Sequence, residues 1–311
     1  MVQNFVSLYA DDTKLFTYIM ESATALNHTS ESLQADLNNL AVWCEDMQMV
    51  YNIDKCHTLH LGSKNQKYQY TIPRQCSMTT SGNSISYDLI FHKLEQVESE
   101  KDLGVTIDRN LNFRKHISAK INKANSIIFL IKHTFKYLDI HMFQQLYKGL
   151  VRPHLEYAAP VWSPSWRKDI ESLEKVQRRA TRILLPSIKD LPYPERLQQL
   201  QLPTLAYRRL RADLILMYKL THNLVIMDTN TYCKQCKHNS NMLTPSHSHT
   251  TRGHNYKYQI LHHQGVRSRF FTSRSTTQWN KLHTDTVNAS SVNIFKRKLA
   301  QDLSMPSFCH Y

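Results

Sequence analysis

Short alternating apolar runs open the chain, and helical repeats follow them. Phe5–Tyr9 and Thr13–Ile19 read as two short strands joined by Ala10-Asp11-Asp12, which has turn character. From about Ser30 to Met49, Leu33, Leu37, Leu40, Cys44 and Met47 recur at spacings of four and three, which predicts a helix with one apolar face. Thr29 or Ser30 can cap it, with Glu31 in the first turn. Asn52-Ile53-Asp54-Lys55 then turns the chain into a strand at Cys56–Leu61. Residues 63–84 are polar and read as loop with one weak strand. Ile85–Phe91 and Lys101–Ile107 read as a further strand pair, closing this region near residue 109.

The period changes after Phe113. Ile117, Ile121, Ala124, Ile128 and Ile131 predict a long helix, and a second spans about Ile140–Val151, ended by Pro153. A third runs from about Lys168 to Leu185. It turns Ile170, Leu173, Val176 and Ala180 one way and Lys175, Arg178, Arg179 and Arg182 the other. Pro186, Pro192 and Pro194 break the pattern. A fourth helix covers about Thr204–Asn223 with Arg208, Arg209 and Arg211. Residues 226–258 read as loop, and Ser291–Leu303 as a last helix. The expected organisation is three segments, 1–109, 110–225 and 226–311, in an α+β chain.

Length and composition bound the class. A chain of 311 residues, 41% hydrophobic, is long enough for two cores. None of its six glycines lies in a G-x-G-x-x-G or G-x-x-x-x-G-K run, which argues against a dinucleotide or P-loop fold. With 39 Lys+Arg against 25 Asp+Glu, the net charge of +14 points to a polyanionic partner, most simply nucleic acid. No apolar run approaches the ~20 residues of a membrane span, and no secretory leader is visible. An intracellular protein, nuclear or cytoplasmic, with no membrane partner is expected. Six scattered cysteines fit free thiols better than a disulfide framework.

Adjacent carboxylates at a tight strand turn repel each other unless a cation lies close by. Asp11 and Asp12 therefore suggest a divalent metal, and hard oxygen ligands suit Mg²⁺. Tyr9-Ala10-Asp11-Asp12 between two strands resembles the catalytic hairpin of reverse transcriptases. Leu40, Trp43, Cys44, Met47, Asn52, Lys55, Cys56 and Leu61-Gly62 resemble the helix and strand that follow it in non-LTR, LINE-like, jockey-type retrotransposons. Leu103-Gly104-Val105, Leu111 and His116-Ile117 are similar to the next hairpin and the start of the thumb. Leu150-Val151-Arg152-Pro153, Leu155–Trp162, Gln177–Ala180, Phe270-Phe271, Arg274, Trp279-Asn280 and Phe295-Lys296 are similar to the region these polyproteins carry after the polymerase core.

The resemblance implies an RNA-directed DNA polymerase: a partial palm of short antiparallel hairpins plus a helix, then a mostly helical thumb and C-terminal region. It makes Asp11 the principal Mg²⁺ ligand and Asp12 its weaker neighbour, and Lys55 a proton donor to the departing pyrophosphate. Leu103 and Gly104 fall in the hairpin that grips the primer end. Lys175, Arg178, Arg179, Arg182, Arg208, Arg209 and Arg211 would meet phosphates of an RNA template and DNA primer, or of an RNA–DNA hybrid. Four residues precede Phe5, so the family's fingers and the upstream palm strand with another metal-binding aspartate lie outside this sequence. The expectation is a fragment without polymerase activity by itself. The alternative is a non-enzymatic basic helical module that binds nucleic acid or protein. Cys233-Lys234-Gln235-Cys236, with His238, His247, His249 and His254 nearby, invites a zinc site. No second cysteine pair follows, and coincidence is the preferred reading.

Overall fold

The computed structural model describes residues 4–10, 12–17, 23–62, 65–81, 84–225, 254–260 and 262–303. It resolves into two units. One holds the described residues of Met1–Asp102 and Ile107–Leu111, the other those of Leu103–Thr106 and Asn112–Tyr311.

The first unit is built from hairpins and one helix. Strands β1 (Phe5–Tyr9) and β2 (Asp12–Phe16) pair antiparallel, with Tyr9 opposite Asp12. Asp12 thus opens a strand rather than completing the turn. Only Ala10 and Asp11 are left between the strands, and Ala10 takes φ +52°, the left-handed geometry that so short a connection demands. Helix α1 (Ala23–Asp46) starts earlier than its apolar repeat suggests. Its inward residues Leu33 and Leu37 pack with Tyr51 and Cys56 against buried Tyr70, Ile72 and Leu94. The Gln34 side chain accepts from the Thr71 N–H at 2.9 Å and donates to the Thr71 carbonyl at 2.8 Å. An amide thereby continues the ladder at the start of a strand.

Strand β3 (His57–Leu59) pairs parallel with β6 (Glu95–Val97), and β4 (Thr71–Ser81) pairs antiparallel with β5 (Ser84–Lys93). The polar stretch at 63–84 therefore contains an eleven-residue strand. Pairing with β5 along its length accompanies this strand. The expected pairing of Ile85–Phe91 with Lys101–Ile107 is not formed. Ser99–Asp102 (β7) and Val105–Asp108 (β8) make their own hairpin, because Leu103 (φ +44°) and Gly104 (φ +83°) turn the chain between them. Among the described residues the strands form four two-stranded sheets.

The second unit is helical. Helix α2 (Arg114–Thr134) buries Ile117, Ala124, Ile128 and Ile131, the face its sequence marks. Helix α3 (Ile140–Leu146) begins at an Asp139 cap that accepts from the Met142 N–H at 2.7 Å. It widens into a π turn over Tyr147–Val151 before α4 (Arg152–Glu156). Pro153 does not end the helix, contrary to expectation. A proline ring clashes with the carbonyl four residues back and leaves it without a donor, and a wider turn relieves both effects. Helix α5 (Ala159–Trp162) leads to α6 (Arg167–Ile183). A short α7 (Tyr193–Gln199) forms where prolines suggested only a break. Pro192 is its cap and Pro194 lies in its first turn, where an N–H has no partner to lose.

Helix α8 (Leu205–Thr221) is capped by Thr204, whose hydroxyl accepts from the Tyr207 N–H at 3.2 Å. Beyond it come α9 (Phe271–Trp279), α10 (Thr284–Val287) and α11 (Val292–Asp302). Leu214, Met217 and Tyr218 of α8 share one core with Phe271, Trp279, Val287, Phe295 and Leu299. The described helices of 226–311 share this core with α8. No described helix is long and apolar enough to cross a membrane.

Candidate nucleic-acid interface

The basic face of α6 follows from its inward face. Leu173, Val176 and Ala180 are buried, and so are the polar residues Glu174, Gln177 and Thr181 on the same side. Gln177 Oε1 accepts from the Tyr147 hydroxyl at 2.7 Å. Its amide donates to Tyr193 Oη and to the Pro203 carbonyl, both at 3.1 Å. Glu174 accepts from the Tyr193 hydroxyl at 2.5 Å and from the Leu205 N–H at 2.9 Å, linking α6 to α7 and to the start of α8. Burial first, then the Glu174 charge, holds the Tyr193 hydroxyl far above its ordinary range, so it stays a donor.

This inward network orients what faces out. Lys175, Arg178, Arg179 and Arg182 are all exposed, at the i, i+3, i+4, i+7 spacing of one helical face. The acidic residues of α6 lie earlier and are engaged. Asp169 is 3.7 Å from Arg114, Glu171 is 2.7 Å from Arg167, and Glu174 is buried. Arg179 Nη1 donates to Asn125 of α2 at 3.0 Å. Lys120 and Lys123 of α2 lie near enough to His154 of α4 to lower its pKa, after burial has done the larger part. Asn125 thus joins the basic face of α6 to α2.

The α8 arginines are placed otherwise. Helix α8 packs against α4, α5, α6, α9 and α11, so little of it is left facing solvent. Arg208 donates to Glu156 through Nε and, at 2.7 Å, through Nη2. Arg209 is 4% exposed and interacts with Asp213, and Arg211 reaches the Lys296 carbonyl at 3.4 Å. Of the row read from sequence as phosphate-facing, Arg209 is buried and Arg208 and Arg211 are half-buried, and all three line one cavity with Glu156.

Asp11 lies outside the described residues. Asp12 is exposed at the head of β2, and Lys14, two residues on, forms an ion pair with Asp102 of β7. Asp102 is thereby neutralised by a lysine. Among the described residues no three His, Cys, Asp or Glu side chains converge to hold a metal ion. The described residues alone do not build a Mg²⁺ site. Lys55 is exposed in a 3₁₀ turn, Ile53–Lys55. The Leu103 carbonyl accepts from the Tyr157 hydroxyl at 2.9 Å, and the Leu103 side chain is exposed.

Cys233, Cys236, His238, His247 and His249 fall outside the described residues. His254 is buried, with Nδ1 accepting from the Tyr256 N–H at 3.2 Å and Nε2 3.1 Å from the Trp279 carbonyl. Both ring nitrogens serve the fold, which removes this histidine from a zinc set.

Over more than half of its length the chain is similar to RNA-directed DNA polymerases from transposable elements. Relatives include the probable RNA-directed DNA polymerase from transposon BS and that from mobile element jockey, both of Drosophila melanogaster, and the jockey polymerase of Drosophila funebris. The first is 24% identical over 196 residues, 60% of this chain and 19% of the relative. The two jockey proteins are each 26% identical, over 181 and 184 residues, 57% of this chain and 18% of theirs. The matched region thus spans under a fifth of the length of these three relatives. No family model matches the sequence, and no solved structure matches it.

Proposed function

We propose that this chain is the nucleic-acid-holding part of a retrotransposon RNA-directed DNA polymerase. In this reading the hairpin-rich unit is palm-like and the helical unit is thumb-like, with α6 and α2 laid against the phosphate backbone of an RNA–DNA hybrid. The observation that carries it is the charge segregation on α6. Four exposed cations share one face, while each acid of that helix is paired or buried. A solvated helix face ordinarily mixes both signs, and a single-sign face favours a polyanion. Asp11 and Asp12 enter this reading as ligands offered to Mg²⁺.

The test is fluorescence anisotropy of a labelled RNA–DNA hybrid with the purified chain, between about 50 and 200 mM salt. If the four α6 cations each neutralise one phosphate, log K falls against log salt with a slope of roughly −3 to −4. Binding that stays flat across that range overturns the proposal.

A further inference from the structure

Helices α6 and α7 bring two arginines over one ring and a third close to them. The Arg178 guanidinium lies 4.7 Å from the Tyr193 ring centroid, and that of Arg196 lies 5.6 Å from it. Arg182 follows one turn after Arg178 and acts electrostatically on Arg196. Arg196 is only 4% exposed, yet its Nε and Nη1 have no hydrogen-bond partner. Buried arginines are ordinarily paired with carboxylates. Glu174 of α6 is instead committed to the Tyr193 hydroxyl and the Leu205 N–H. Burial lowers the Arg196 pKa, and the charges of Arg182 and Arg178 add to that against an opposing contribution from Tyr193.

What the cluster lacks is an oxyanion. Stacking on a ring uses the face of a guanidinium and leaves its edge of N–H donors for hydrogen bonding, and that fork matches phosphate oxygens. We propose that Arg178, Arg182 and Arg196 form a clamp for one phosphate group at the edge of Tyr193, with Arg196 as its innermost member. This rests on the nucleic-acid reading and adds to it a discrete seat on α7. The source expected is a phosphodiester of the hybrid backbone, with free inorganic phosphate as the other source of the same chemistry.

Two arms on the full chain test it. In the first, inorganic phosphate alone is titrated, with thermal unfolding as the readout. The wild type should gain melting temperature, and R196K and R182Q should gain less than half as much. In the second, hybrid affinity is measured by anisotropy. R182Q should bind about tenfold more weakly with a salt slope shallower by about one, and R196K should weaken about fivefold because lysine keeps the charge but not the fork. Arg182 is exposed, so R182Q carries the test if R196K does not fold. A phosphate response in the first arm with unchanged hybrid affinity in both variants supports the clamp and names free phosphate as its ligand. Equal phosphate responses in all three proteins, or none in the wild type, overturn the clamp even where the wild type binds hybrid. Failure of the wild type to bind hybrid at all defeats the wider reading and leaves the phosphate arm to decide the clamp.

Discussion

The Tyr157 ring lies 3.3 Å from the point where a Cβ on Gly104 would stand. The same tyrosine donates its hydroxyl to the neighbouring Leu103 carbonyl at 2.9 Å, and its own carbonyl accepts from Trp162 Nε1 at 2.7 Å. Gly104 has φ +83°, a conformation that costs an L-residue about 1–2 kcal/mol. Gly104→Ala therefore combines backbone strain with a tight contact against the ring. It should lower stability by about 2 kcal/mol, read as a shift in urea midpoint at constant slope. Tyr157→Phe keeps the packing and removes one hydrogen bond, so it should cost only about 1 kcal/mol. An alanine variant as stable as the wild type would show that the hairpin tip is not held against this ring.

Arg274 is a second junction. It donates to both carboxylate oxygens of Asp213, at 2.8 and 2.9 Å, and to the carbonyls of Pro160 and Arg269 at 2.7 and 2.9 Å. One side chain so ties α9 to α8, to α5 and to the turn before α9. Burial raises the Asp213 pKa, and the Arg274 bonds and charge oppose that. Arg274→Ala leaves a buried carboxylate with its main partner gone and should cost about 3–5 kcal/mol. Arg274→Lys cannot reproduce the fork and should recover less than half of that loss. Chemical denaturation measures both. A loss below about 1 kcal/mol for the alanine variant would place the junction at the surface in effect.

His116 predicts a pH dependence. Its Nδ1 accepts from the Thr106 N–H at 3.1 Å, and Nε2 is buried with no partner. Burial, with a smaller part from Lys120, lowers its pKa to about 4. The unfolded chain, with an ordinary histidine near 6.5, takes the proton first as pH falls. This contribution to stability is therefore complete above about pH 6.5, declines between 6.5 and 4, and levels off below that. After allowance for solvent screening the loss is on the order of 2 kcal/mol. Comparing denaturation at pH 7.5 and 4.5 for wild type and His116→Gln isolates it from the other histidines. The variant should lose less stability over that interval, and parallel curves would refute the assignment.

What could be read from sequence follows from how local each cause is. The α6 and α8 ranges are visible because Leu173, Val176 and Ala180, and the Thr204 cap, act within a few residues. Strand β4 shows in sequence only as one weak strand, because the partner β5 that pairs along its length lies outside its own residues. Helix α7 is hidden by prolines whose cost vanishes at a helix start. The reach of the helix past Pro153 depends on a π turn that no composition signals. The interface divides in the same way. Arginines on α6 and α8 look alike in sequence, and only packing sends Arg208 and Arg209 inward and leaves Arg178 and Arg182 outside. Many residues that carry the family resemblance, among them Gln177, Tyr157, Arg274 and Trp279, prove to be hydrogen-bonded parts of the helical unit. Arg196 carried no pattern at all, since its setting is made by Tyr193 and by a neighbouring helix.

That division between outward and inward arginines is itself testable. Lys175→Gln and Arg179→Gln remove exposed cations from the α6 face. Each should weaken hybrid binding and make the salt slope shallower by about one, with little change in stability. Arg208→Gln removes the principal partner of Glu156, although Arg152 at 3.8 Å softens the loss. It should cost about 1–2 kcal/mol of stability and leave the slope as it was. The two readouts should therefore separate, with α6 variants moving the slope and the α8 variant moving the unfolding midpoint. An Arg208→Gln chain of normal stability with a shallower slope would mean that Arg208 leaves Glu156 for phosphate when nucleic acid binds, and the inward assignment of the α8 row would fall.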